Sequence, residues 1–251
     1  MGGVEFSMRP ENDAIHDYVI DLCEADRPRV CHLPTASGDP QQQIAAFHSS
    51  MDGREVEASV LSLFRLGESG IDVRSHLLGQ DLIYVGGGSM VNLIALWREH
   101  GIDRVMLDAY AAGIVLCGYS AGSMCWFGHG VSRGSGKPSH SRGLGLLEGS
   151  HCVHYSQDPG RRSAYRELVG SGELPAGLAL DDHAAALFHD GKRIEVVRAR
   201  ETAGGYRVRP RAGSAGEVDE QALASRLIAS RRRSAEGGIE EMRSLRRMRA
   251  G

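Results

Sequence analysis

Gly113-Ile114-Val115-Leu116-Cys117-Gly118-Tyr119-Ser120-Ala121-Gly122 is the stretch on which the fold turns. Gly113 to Cys117 is a short apolar run, the pattern of a strand buried on both faces. It meets Gly118-Tyr119-Ser120-Ala121-Gly122, a G-x-S-x-G sequence, and the apolar segment Ser123 to Phe127 follows. Strand, sharp turn and helix in that order make a nucleophile elbow. The turn is tight and its serine strained, so a side chain at either glycine would strike the neighbouring strand or helix. Such an elbow lifts the Ser120 hydroxyl out of the sheet at a helix N-terminus, where the Ala121 N–H and the helix dipole favour a developing oxyanion.

Upstream, Arg29 to Pro34, Val73 to Leu77 and Asp81 to Val85 read as further strands, with a helix from about Gln41 to Leu66. Asp81 to Val85 runs into Gly86-Gly87-Gly88, after which Val91, Leu93, Ile94, Leu96 and Trp97 repeat at helical spacing. Short apolar runs alternating with helical patterns predict a mostly parallel sheet covered on both faces. Beyond the elbow, Leu144 to Val153, Leu178 to Asp181, Ala184 to Phe188, Arg193 to Val197 and Tyr206 to Val208 read as strands with turns between them, so antiparallel additions are expected in the C-terminal half.

The chain has 251 residues, 41% hydrophobic and 24% charged, with a formal charge of -3. This is ordinary globular usage, with no basic field to hold a phosphate backbone, so nucleic acid is not the expected ligand. Five cysteines without C-x-x-C spacing argue against a disulfide framework or a zinc site and predict a cytoplasmic setting. Met1 to Pro10 lacks the charged start and apolar run of a signal peptide, and no stretch has the length of a membrane span. From residue 211 onward nine arginines face six acids, and Arg231-Arg232-Arg233 reads as part of a solvated, Arg-rich extension. The expected division is residues 1–210 for the α/β domain and 211–251 for the extension.

A serine hydroxyl needs a base within hydrogen-bond reach. His154 ends the run Leu144 to Val153, where a parallel strand would deliver it to the same sheet edge as Ser120. His151 falls on the opposite pleat, as a structural or an exposed group. Gly86-Gly87-Gly88 lacks the spacing of a phosphate loop, and its bare backbone fits an oxyanion hole, with Gly87 and Gly88 as the candidates. The base also needs an orienting group, for which Asp158, Asp182 and Glu148 are available, or a neutral Ser132 or Ser135.

These pieces together resemble the peptidase E family, the S51 serine peptidases, which are related to cyanophycinases. The resemblance spans about Gly2 to Arg209. It is carried by Pro34-Thr35-Ala36-Ser37, Tyr84-Val85-Gly86-Gly87-Gly88, the elbow, and Gly143-Leu144-Gly145-Leu146-Leu147 leading to His154-Tyr155. It implies a three-layer α/β sandwich of class I glutamine amidotransferase-like or flavodoxin-like type, no metal or organic cofactor, and hydrolysis of short peptides. It also implies a dipeptidase preferring N-terminal Asp, acting as a monomer or homodimer. Ser120 and His154 match the family's nucleophile and base; Gly87, Gly88 and Ala121 match its oxyanion hole. The chain departs from the pattern in three places. The family begins with a strand, and this sequence starts at what reads as the turn after it. The family acid follows the serine by about a dozen residues, where Val131 to Ser135 offers none. Ser89 replaces a frequent asparagine. For an anionic substrate side chain, Arg133, Arg142, Arg161 and Arg162 are the available cations, with Arg133 and Arg161 foremost. Two other readings compete: an α/β-hydrolase-type esterase using Asp158 with His183 or His189, and a catalytically weakened binding protein on the same fold.

Overall fold

In the computed structural model the chain is described at residues 1–3, 6, 10–134 and 137–230. Four strands, β1 (Arg29–Leu33), β2 (Glu57–Val60), β3 (Leu82–Val85) and β4 (Val115–Gly118), form a wholly parallel sheet in the order β2-β1-β3-β4. β3 is buried at every residue, as its unbroken apolar run requires, and β1 at all but Arg29, with His32 buried among its apolar neighbours. Nine further strands follow: β5 (Phe127–Gly134), β6 (Lys137–Arg142), β7 (Leu147–Val153), β8 (Gly177–Leu180), β9 (Ala184–His189), β10 (Lys192–Arg198), β11 (Gly205–Pro210), β12 (Val218–Ala222) and β13 (Arg226–Leu227). They make a six-stranded sheet, β12-β11-β8-β7-β5-β6, and a three-stranded one, β13-β10-β9. β5, β7 and β8 run parallel; β6, β11 and β12 are antiparallel to their neighbours.

The helices are α1 (Pro10–Ile20), α2 (Gln41–Met51), α3 (Leu66–Ser69), α4 (Val73–Leu78), α5 (Met90–Glu99), α6 (Ile102–Ala111), α7 (Ala121–Met124) and α8 (Pro159–Gly170). On α5, Met90, Leu93, Ile94 and Trp97 are buried, a stripe at helical spacing, and the Ser89 hydroxyl caps its start by accepting from Asn92 N–H. α6 buries Ile102, Val105, Met106 and Ala109 in the same way, and these residues join the α5 stripe in one core. Among the described residues no helix is long and apolar enough to cross a membrane.

Three expectations change. Val73 to Leu77, read as a strand, is helix α4: Asp72 caps it by accepting from Ser75 N–H at 2.7 Å, and this local bond settles a stretch too short for its two apolar ends to fix a period. The long helix expected from Gln41 ends at Met51, and the strand lies at Glu57–Val60 instead. The chain beyond residue 211 is not all appendage, because β12 pairs with β11 and β13 with β10. Arg211 joins that packing through Asp219 at 3.0 Å, so the arginines there serve local ion pairs. Arg231 to Arg233 lie outside the described residues.

At the front of the chain Gly3 makes a single bridge to Asp182 rather than a strand. Beside it an apolar cavity of about 960 Å³ lies between β4, β8 and β9, with Met1 in its wall. The Met1 amine donates to Gly118 O at 3.0 Å and to Ser123 Oγ at 2.8 Å.

Candidate active site

β4 ends at Gly118, and the chain then reverses through Ser120, whose φ of 53° and ψ of -118° are rare for a residue with a side chain. The two flanking glycines are steric necessities. A Cβ on Gly118 would lie 2.2 Å from Gly122 O, and one on Gly122 would lie 2.2 Å from Val85 O. The turn therefore packs backbone against backbone, and Ser120 is left at the carboxyl end of the sheet.

His154 and Asp182 reach the same point by strand register. β7 and β8 are parallel neighbours with Val153 opposite Leu180, so the residues just past each strand emerge side by side. His154, itself at φ 54°, turns its ring toward the elbow. Its Nε2 lies 2.9 Å from Ser120 Oγ, and its Nδ1 lies 2.5 Å from Asp182 Oδ1. A carboxylate at Nδ1 keeps the proton on that nitrogen, which leaves Nε2 as the acceptor for the serine hydroxyl. The His154 and Asp182 side chains are 29% and 28% exposed, open enough for a substrate to reach.

Of the three acids named from the sequence, Asp182 meets the histidine. Asp158 instead caps α8, accepting from Arg161 N–H at 3.1 Å, and Glu148 is exposed near the other end of β7. The side chain of Ser132 and the whole of Ser135 lie outside what is described.

The expected oxyanion donors are backbone amides. Gly122 N–H donates to Tyr119 O, and Ser123 and Met124 N–H donate to Ser120 O, so the Ala121 N–H stands ahead of the helix ladder. On the β3 side, Gly86 N–H is taken by Leu33 O and Ser89 N–H by Ala36 O, with the Gly87 and Gly88 amides between them. A Cβ on Gly87 would come within 3.2 Å of Ser120 Cβ. The glycine triplet and the serine are thus in contact.

Several residues of the site escaped sequence reasoning. Ser120 N–H donates to Gly2 O, and His183 N–H to Gly3 O. A Cβ on Gly3 would lie 2.1 Å from Asp182 Oδ1 and 2.7 Å from the His154 ring, so the triad rests on bare backbone there. Asp181, fully buried, accepts from Ser156 N–H, Gly204 N–H and the Tyr206 hydroxyl, and Gln157 Oε1 accepts from Asp182 N–H. These bonds clamp the loop after β7 to the loop after β8. The Gly2-Gly3 pair was the one visible signal.

His151 is buried, the structural one of the two roles its pleat position leaves open. Its Nδ1 bonds Leu178 O at 2.9 Å and its Nε2 faces Ser123 Oγ at 2.9 Å. Burial pulls its pKa down to about 3, so it stays neutral. The candidate cations are mostly engaged: Arg161 faces Asp158 at 3.5 Å, and Arg162 pairs with Glu220 and lies over the Tyr155 ring. Arg142 is exposed on β6, and the Arg133 side chain lies outside what is described.

The sequence pattern of peptidase family S51 matches residues 1–197 of this chain. The chain belongs to peptidase family S51. Its S51 sequence is also 40% identical over 208 residues to the uncharacterized peptidase YgaJ of Bacillus subtilis (strain 168), covering 83% of this chain and 90% of that one. Two solved structures share the S51 chain's fold. A peptidase from an acI-B1 actinobacterium has a TM-score of 0.66 at 16% identity, over 92% of this chain and 94% of the other. A putative peptidase E protein from Listeria monocytogenes EGD-e has a TM-score of 0.53 at 17% identity, over 88% and 96%. The S51 membership and the peptidase relative make this protein a peptidase on the expected mostly parallel α/β sandwich.

Proposed function

We propose that the protein is a serine-type peptidase that cleaves short peptides through an acyl-enzyme. The observation that carries this reading is the continuous chain from Ser120 Oγ through His154 to Asp182, with contacts of 2.9 and 2.5 Å. His154 Nε2 takes the Ser120 proton as Oγ attacks the scissile carbonyl. The carbonyl oxygen, now anionic, is held by the Ala121 N–H and by Gly87 or Gly88 N–H. The C–N bond then breaks, and His154 returns the proton to the departing amine. Water, deprotonated by the same nitrogen, releases the acyl group and restores the serine. Asp182 holds the imidazole in the required tautomer throughout and stabilises the imidazolium.

The narrower form of the proposal is a dipeptidase that prefers N-terminal Asp, with Arg133 or Arg161 receiving the Asp carboxylate. At Arg161 that carboxylate competes with Asp158, which already faces the guanidinium. The esterase reading is not favoured: Asp158, its proposed acid, is engaged in capping α8, and the family match is to peptidases. Asp182 at His154 removes the motive for a silent binding protein. A dipeptide library with a p-nitrophenyl ester panel tests the proposal. Peptide bonds are cleaved by the wild type, and Ser120→Ala abolishes that cleavage; turnover that survives the substitution contradicts it.

A further inference from the structure

A pocket of about 420 Å³ opens next to this site, and the Ser–His–Asp chemistry leaves it unused. Thr35, Ser37, Phe64, Asn92, Ala95 and Leu96 line it, from the turn after β1, the exposed side of α5 and the loop ahead of α3. It therefore opens at the carboxyl end of β1, on the sheet edge that also carries Gly86 to Gly88 after β3 and Ser120 after β4.

Two close approaches relate it to the serine. Gly87 touches Ser120, and a Cβ on Gly88 would lie 2.2 Å from Ala36 O, which also receives Ser89 N–H at 2.7 Å. Gly87-Gly88 is thus a thin wall with Ser120 on one side and the pocket turn on the other.

The lining states what a guest side chain can be. Among the described residues it contains no Lys, Arg, Asp or Glu, so a charged side chain would lose water and find no counter-ion there. Phe64 is 59% exposed at the rim, an apolar wall without a cover, and Asn92 offers an amide from α5. In the floor, Thr35 is 1% exposed, and its hydroxyl has no hydrogen-bond partner among the described residues. Asp39, buried four residues after Thr35, accepts from the N–H of Phe64, so the carboxylate nearest the pocket wall carries the same charge as an acidic guest.

We propose that this pocket receives an uncharged side chain of a residue flanking the scissile bond, with its apolar body against Phe64 and Leu96 and a polar end toward Asn92 and Thr35. An Asp side chain, where the substrate has one, sits outside it. The proposal rests on the peptidase reading.

The test uses two dipeptide-amide series, one varying the residue before the bond and one the residue after it, with kcat/KM measured on wild type and Ala95→Phe. Ala95 is exposed on α5, so phenylalanine there fills the pocket without entering the core. In one series the ratio of kcat/KM for Leu, Met or Gln over Gly falls at least tenfold in Ala95→Phe, and Asp and Lys are the poorest wild-type substrates. Thr35→Val lowers Gln relative to Met in that series. Unchanged ratios in both series, or Asp or Lys preferred where the pocket governs, overturn the proposal. Calorimetric binding of the same peptides to Ser120→Ala separates the two readings. Neutral peptides that bind without being cleaved, and are lost on adding Ala95→Phe, sink the peptidase reading and keep the pocket. Cleavage that ignores pocket filling does the reverse, and neither binding nor cleavage overturns both.

Discussion

Asp182 completes the hydrogen-bonded chain from Ser120 through His154, and its position follows from a strand register rather than from any motif around it. The sequence offered three acids, since nothing in Asp158, Asp182 or Glu148 alone tells which loop folds back on His154. β7 and β8 end level with one another, and that decides the matter. Ser120, by contrast, was legible at once, because Gly118 and Gly122 are demanded by backbone contacts that admit no side chain. Asp182→Asn keeps the shape but puts a donor where Nδ1–H needs an acceptor, so the imidazole is held in the wrong tautomer. The expected result is a fall in kcat of about 10³- to 10⁴-fold, with KM little changed. Steady-state kinetics on the best peptide substrate checks it, and a fall of less than about tenfold would show that Asp182 does not orient the base.

Among the elements, strands β1, β3 and β4 and helix α5 were readable because each is either mostly apolar or periodic over enough residues. Helix α4 was not, because six residues with an apolar start fit either period and a single Asp72 cap settles the outcome. The pairing of Gly2 with Ser120 and of Gly3 with His183 was equally hidden, because it links the front of the chain to turns 118 and 180 residues away. The elbow between β4 and α7 carries its own test. Gly122→Ala sets a methyl group into Val85 O, where only backbone movement gives relief, so the element must open or shift. Destabilisation of about 3 kcal/mol is expected in urea unfolding, with activity lost even in the folded fraction because Ser120 moves. Wild-type stability and turnover in Gly122→Ala would contradict the packing of the elbow.

Across the whole molecule, neutral groups are buried where the unfolded chain would take protons. Burial lowers His151 to about 3 and His32 to about 4, and His32 remains tied to Tyr84 O through Nδ1 at 3.0 Å. Both folded-state values lie below the unfolded value of 6.5, so between about 6.5 and 4 the unfolded chain binds protons that the native one refuses. The contribution of these two histidines is full above that window and falls as the pH drops through it. Urea midpoints at pH 7.5 and 4.5 are expected to show this loss, and His151→Gln is expected to shrink the difference between them. An equal difference in the variant would mean that His151 is not the group involved. The ion pairs on the outside, such as Arg29 with Asp81 at 3.2 Å, are exposed and contribute little to that balance.

The account depends most on Ser120 being a nucleophile activated by His154. The direct measurement is intact-protein mass spectrometry after exposure to a small fluorophosphonate, with the modified residue located by peptide mapping. The expected result is one stoichiometric adduct on Ser120, absent in Ser120→Ala and formed at least a hundredfold more slowly in His154→Ala. An unlabelled wild type that is folded by circular dichroism, or an adduct on a different residue, would contradict the account.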